Sequence, residues 1–214
     1  MKTLLITALL AVLSLSTSAQ AQSQQALEAR TARAASAVQE LPELVNKDNH
    51  RSLGFESVEE ARAGKLGDAI PVFMIRLDAL QQYRGEDAGR LLTDLQRAVY
   101  PVEVGGQVRS TVELQAMGGK WEVARLGGAQ KIRAMDKHRR STLKARGLQT
   151  SDFFEVRIPA LNLTFLGHHD ADGLMLTPLA DDASLNLQAG RSVLASQLLS
   201  RLVPLAQATP SDMP

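Results

Sequence analysis

The stretch Phe165–Leu176, FLGHHDADGLML, sets His168 and His169 beside Asp170 and Asp172 and uses two of the chain's four histidines. Imidazole and carboxylate are donors that zinc selects, at about 2.0–2.2 Å from one ion. Side chains alternate faces along a strand, so His168 and Asp170 share a side while His169 points the other way. His168 and Asp170 are therefore the candidate metal ligands, and His168 is also a group that titrates near neutral pH. A calcium loop does not fit. With Gly173 as the loop's obligatory glycine, the first ligand position falls on His168 and the bidentate twelfth on Leu179. The competing reading is conformational: Asp-Ala-Asp-Gly between the apolar runs LNLTFL and LMLTPL is a hairpin signal, and the spacing predicts a turn.

A second concentration of chemistry lies in Gly127–Arg146. Lys131, Arg133, Lys137, Arg139, Arg140, Lys144 and Arg146 stand there against one acid, Asp136. On a helix they occupy about five turns and form a candidate binding surface for lipid headgroups, lipopolysaccharide or an acidic partner protein. Ile132, Met135 and Leu143 give only a thin apolar stripe, which argues against insertion into a membrane. The plainer reading is a solvated helix whose charge is balanced by acidic flanks. Elsewhere the chain has no cysteine, no GxSxG elbow and no HExxH helix. It also lacks GxGxxG and Walker patterns, so no catalytic residue and no cofactor is assigned. Trp121 alternates with Val123 and reads as core.

These groups need elements to hold them. SQQALEARTARAASAVQELPELV has helical spacing at Leu27, Ala34, Val38 and Leu41, with Pro42 marking its end. Ser57 and Glu60 have capping-box spacing, which predicts a short helix over Val58–Ala63. Ile70–Leu77 reads as a strand and EDAGRLLTDLQRAV as a short helix with Leu91, Leu92 and Leu95 on one side. Gly-Gly pairs at 105, 118 and 127 punctuate alternating sequence. Glycine pairs suit tight hairpin turns, so three antiparallel strands follow. Val108, Ser110, Val112, Leu114 and Ala116 are expected on one face, with Arg109, Thr111, Glu113 and Gln115 on a wet one. The basic helix, the strands FFEVRIP, LNLTFLG and GLMLTPL, and a closing helix complete the chain. Val193, Leu194, Leu198 and Leu202 line that last helix, and Pro204 limits it.

The fold class is thus α+β: an antiparallel β-meander with helices packed on one face, plus a C-terminal β-hairpin and helix. The first part resembles, in architecture alone, helix-on-meander folds of the cystatin or NTF2 kind. The expected division is a leader over 1–21, a helix and meander domain over 22–146, a hairpin and helix over 147–207 within the same domain or beside it, and a loose tail over 208–214.

Lys2, the apolar run Leu4–Leu15 and Ala19-Gln20-Ala21 form the pattern of a cleavable signal peptide. A run of roughly 12 is short of the 20 residues a spanning helix needs. Removing the leader takes Lys2 from a net charge of +1, which leaves a near-neutral chain without the basic surplus of nucleic-acid binders. The expected compartment is the periplasm or the exterior, with no transmembrane segment after cleavage. The favoured reading is an exported non-catalytic binding protein that contacts a protein, a peptide or an anionic envelope component. The alternatives are a periplasmic hydrolase or metal-dependent enzyme built on His168 and Asp170, and a carrier of a small apolar ligand.

Overall fold

The computed structural model describes the backbone of residues 4–210 and the side chains of residues 24–210. The expected leader therefore lies outside the residues with described side chains, as do residues 211–214 of the expected tail. Helix α1 (Leu4–Leu44) ends two residues past Pro42. Its Ala34, Ala37, Val38 and Leu41 recur at helical spacing and are all buried. Helix α2 (Val58–Ala61) starts at Ser57, whose hydroxyl accepts from the Glu60 amide at 3.2 Å. The Glu60 carboxylate reaches one residue beyond the expected box and accepts from the Glu56 amide at 2.5 Å.

Strands β1 (Lys65–Leu66) and β2 (Ile70–Ile75) precede the short helix α3 (Leu77–Gln82). Then come the meander strands β3 (Leu92–Val104), β4 (Gln107–Met117) and β5 (Lys120–Leu126). Gly105-Gly106 and Gly118-Gly119 make the two connecting turns, with φ of 59° and 78°, then 57° and 79°. Both central residues at positive φ are what a type I′ hairpin demands, and glycine meets that demand without a Cβ clash. The third pair does something else. Gly127 and Gly128, at φ 86° and 78°, turn the chain into helix α4 (Ala129–Arg146).

The segment read as a helix over EDAGRLLTDLQRAV is instead a single 3-10 turn, Ala88–Leu91, followed by the start of β3. Pairing with β2 decides it: Ile75 lies opposite Leu92, Met74 opposite Thr93 and Phe73 opposite Asp94. The register then jumps so that Val72 faces Arg97, and Gln96 sits at φ 50°. That bulge interrupts the strand's alternation and leaves Leu91, Leu92 and Leu95 with an accidental helical spacing.

Strands β6 (Phe153–Ile158), β7 (Leu163–Asp170) and β8 (Gly173–Pro178) follow, then β9 (Val193–Leu194) and helix α5 (Ala195–Ala208). Val193 and Leu194 pair with Leu176 and Met175, so they belong to the sheet and not to the closing helix. The helix also continues through Pro204, with Leu202 before it and Ala206 beyond it both buried. One sheet joins all nine strands in the order β5-β4-β3-β2-β6-β7-β8-β9, with β1 on β3. Its pairings are antiparallel except that of β2 with β6, where Val72, Phe73 and Met74 run parallel to Glu155, Val156 and Arg157.

The α+β class is as expected, but helices cover both faces of the sheet. Ala98 and Tyr100 face α1, while Val99 between them faces α4. On the first face α1 covers the meander, and α3 with α5 covers Val156, Ile158, Phe165 and Leu176. On the second face Ile132 and Met135 of α4 pack on Ile70, Val72, Val99, Phe153 and Leu166. Each of these two anchors contributes roughly 1.5–3 kcal/mol by burial. The glycine pair before α4 folds the chain under the sheet, where a third hairpin would have kept it in plane. The meander face read as wet is therefore covered, with Thr111 and Glu113 both buried. Val108 also joins it, because the bulge between Val102 and Glu103 shifts its side.

Candidate functional site

Beneath α4 the inner positions of neighbouring strands carry charge. The parallel register sets Arg157 beside Met74 and Glu155 beside Val72, and the meander register sets Glu113 opposite Val99 and Arg97 opposite Gln115. Alternation then aims all four side chains at the same face. Glu113, 3 % exposed, takes Arg125 at 2.8 Å, Arg157 at 3.2 Å and Arg97 at 3.4 Å. Glu155, fully buried, takes Arg157 and Lys131 of α4, each at 2.5 Å and both through Oε1. Arg97 also donates to the Gln115 side-chain oxygen at 2.7 Å. Two carboxylates thus hold four cations, which leaves two positive charges in surplus under the helix.

The network sets its own protonation. Burial alone would raise the Glu113 carboxyl, but Arg157 and Arg125 outweigh it and hold the group below its ordinary value. Burial pushes the Lys131 ammonium down, against the opposing pull of Glu155. Arg157 is also desolvated, yet its bonds to Glu155 raise it and keep it charged. Glu155 Oε2 is buried without a hydrogen-bond partner.

A cleft of about 640 Å³ opens beside this network, between the first turns of α4, the connection from β6 to β7, and the segment after β8. Arg125 and Lys131, from the end of β5 and the first turn of α4, line it together with Asp181 and Asp182 from the segment after β8. Leu163, Phe165, Leu179 and Leu187 supply apolar wall.

The seven basic residues singled out on α4 divide into two sets. Lys131 is tied to Glu155, and Arg146 meets Asp170 at 3.3 Å. Arg139 is buried and bonds Asp136 at 3.0 Å, with its Nε and Nη1 left unpartnered. Arg133, Lys137, Arg140 and Lys144 are exposed. Of these only Arg140 is paired among the described residues, with Asp136 at 2.6 Å and Glu103 at 3.6 Å.

His168 and Asp170 do share the α4 side of β7, and residues 171–172 form the tight turn into β8. His168 is 1 % exposed, with the Phe153 ring 5.3 Å away and Nδ1 unpartnered. Burial lowers its pKa, opposed by the Asp170 charge. Asp170 is occupied otherwise: it accepts from the Asp172 amide at 2.9 Å and holds Arg146. His169 stacks on the opposite face against Phe154 at 5.7 Å. Among the described residues no three His, Cys, Asp or Glu side chains are grouped to hold a metal ion. Trp121 packs against the α1 cluster, with the Arg30 guanidinium 5.5 Å from its ring.

Sequence reasoning did not find Glu113, Glu155, Arg157, Arg97 and Arg125 as a group. One signal was present. In FFEVRIP, Phe153 and Phe154 point to opposite faces, so both sides of that strand are apolar and Glu155 must be buried and paired. No family model, curated protein or solved structure matches the chain.

Proposed function

We propose that this chain is an exported, non-catalytic binding protein of a bacterial-type cell envelope, and that it meets an anionic envelope component through the outer face of α4. Support for export is the leader pattern of Lys2, Leu4–Leu15 and Ala19-Gln20-Ala21. The observation that carries the contact is the stripe of Arg133, Lys137, Arg140 and Lys144, all exposed. At about 100° per residue these positions fall within an arc of roughly 60° and extend about 16 Å along the helix. Lys131, Arg139 and Arg146 are paired with carboxylates, while Arg133, Lys137 and Lys144 have no ion pair among the described residues. The apolar residues of the helix, Ile132 and Met135, face the sheet, so attachment is electrostatic and peripheral.

Near an anionic membrane each unpaired cation contributes about 1 kcal/mol, so Arg133, Lys137 and Lys144 supply about 3 kcal/mol, or roughly a hundredfold in partition. The experiment is co-sedimentation of the mature protein with vesicles of phosphatidylglycerol and phosphatidylcholine, or of phosphatidylcholine alone, at low and high salt. Binding to the anionic vesicles alone, weakened by salt and lost in Lys137→Glu/Lys144→Glu, is the expected result. Equal retention by neutral vesicles, or binding unchanged in the double variant, would overturn the reading.

A further inference from the structure

We propose that the cleft beside α4 binds a short apolar peptide as a zwitterion, its carboxylate on Arg125 and Lys131 and its ammonium on Asp181 and Asp182. The site is separate from the outer stripe of the helix, and its volume of about 640 Å³ lies within the usual span of ligand sites, about 300–1,000 Å³.

Both cations have hydrogen-bonding capacity to spare. The Lys131 ammonium carries three donors and gives one bond, to Glu155 Oε1, among the described residues. The Arg125 guanidinium carries five and touches Glu113 through Nη2 alone, with its side chain 55 % exposed. Arg97 and Arg157 already balance Glu113 and Glu155 behind them, so Arg125 and Lys131 are the two positive charges in surplus and attract an anion to the cleft.

The acids are held differently. Asp181 Oδ1 accepts from the Ala189 amide at 2.8 Å. Asp182 Oδ1 accepts from the Ser184 amide and hydroxyl and from the Leu185 amide. Each is fixed in place through one oxygen, and the other oxygen makes no hydrogen bond among the described residues. A plain anion would meet repulsion from these carboxylates, and a plain cation would meet it from Arg125 and Lys131. A ligand with opposite charges at its two ends satisfies both. Leu163 and Leu179 add apolar wall to the same cleft, which takes an apolar side chain. A peptide is the ligand class in which these three features come joined.

The test uses the mature protein and ligand-observed NMR with three probes: Leu-Leu, its N-acetyl form and its C-terminal amide. The expected result is binding of Leu-Leu and at least tenfold weaker binding of each blocked form. Arg125→Gln removes the discrimination against the amide, and Asp181→Asn removes that against the acetylated form. Both residues are exposed enough for replacement to leave the fold intact. Should either variant unfold, the two blocked peptides still decide the matter on the unaltered protein. No signal from Leu-Leu at about 10 mM, where even a millimolar site is filled, overturns the proposal. So does equal binding of free and blocked peptides. Vesicle binding through the outer stripe is read separately, and Arg125→Gln leaves it unchanged.

Discussion

Replacing Glu155 by leucine tests whether the charge network under α4 is a coupled unit. Glu155 is fully buried and holds Lys131 and Arg157 at 2.5 Å each. Without it Arg157 keeps Glu113 at 3.2 Å, but Lys131 has no acceptor left among the described residues. Breaking a buried pair from one side costs about 3–5 kcal/mol. Lys131 is 28 % exposed and partly escapes to water, so the low end, about 3 kcal/mol, is expected. Lys131→Met strips one of two partners from Glu155, which still holds Arg157, and should cost about 2 kcal/mol. The double replacement removes both buried charges together and closes the gap with apolar atoms. Such exchanges are often close to neutral, but Arg157 still loses its bond to Glu155, so the double variant should cost about 2–3 kcal/mol where simple addition gives about 5. The coupling of about 2–3 kcal/mol stands well above the roughly 0.5 kcal/mol seen between independent sites. Urea unfolding followed by circular dichroism, with equal slopes across the four proteins, supplies the cycle. Costs that add within about 0.5 kcal/mol would refute the argument that these side chains hold one another.

Other consequences of the geometry are as direct. A Cβ on Gly54, at φ 98°, would lie 1.9 Å from the Arg109 carbonyl oxygen, a backbone atom that cannot swing aside. Gly54→Ala should therefore cost about 3 kcal/mol or more and lower Tm by roughly 6–12 °C. Gly118→Ala, at φ 57° with open space around it, should cost only about 1–2 kcal/mol; equal losses at the two sites would contradict this account. Gly167→Ala would bring a Cβ to 2.5 Å from the Phe154 ring, itself packed on Phe73 at 5.2 Å and His169 at 5.7 Å. It should cost about 1–3 kcal/mol by chemical denaturation, with Phe154→Leu in the same chain recovering part of the loss. Burial depresses the folded-state pKa of His168, with Asp170 and Asp152 opposing and Arg146 and His169 assisting. Its stabilisation is therefore intact above the unfolded imidazole value of about 6.5. Stability is lost as pH falls below that value, at up to about 1.4 kcal/mol per pH unit for one proton. His138 shifts in the same direction through burial and Lys137, so His168→Gln should flatten the acid limb of the stability profile only in part. An unchanged limb would remove His168 from the argument.

The readable parts of this fold are those whose cause is local. Two glycine pairs specify two hairpin turns, and Ala34, Val38 and Leu41 specify the buried stripe of α1, because each signal spans a few residues. The beginning of β3 was hidden since its bulge at Leu95 and Gln96 breaks the period on which a strand is recognised. Alternation in β4 showed that Thr111 and Glu113 share a side; what covers that side is set by Gly127 and Gly128, which send α4 beneath it. The charge network draws on residues from Arg97 to Arg157, from four strands and a helix. No periodicity connects such distant positions, and only the parallel register of β2 against β6 brings them together. The turn at 171–172 was legible from DADG, whereas the pairing of Asp170 with Arg146, 24 residues earlier, was not.

That parallel seam also sets an order of events during synthesis. Val72 must wait for Glu155, so the meander between them is made first and the inner rim of β2 stays bare until the later strands emerge. Closing so long a stretch of chain is entropically slow, and an unpaired strand rim is a template for another molecule. Nascent chains arrested just before β6 should therefore associate through β2, and those extended beyond it should remain apart.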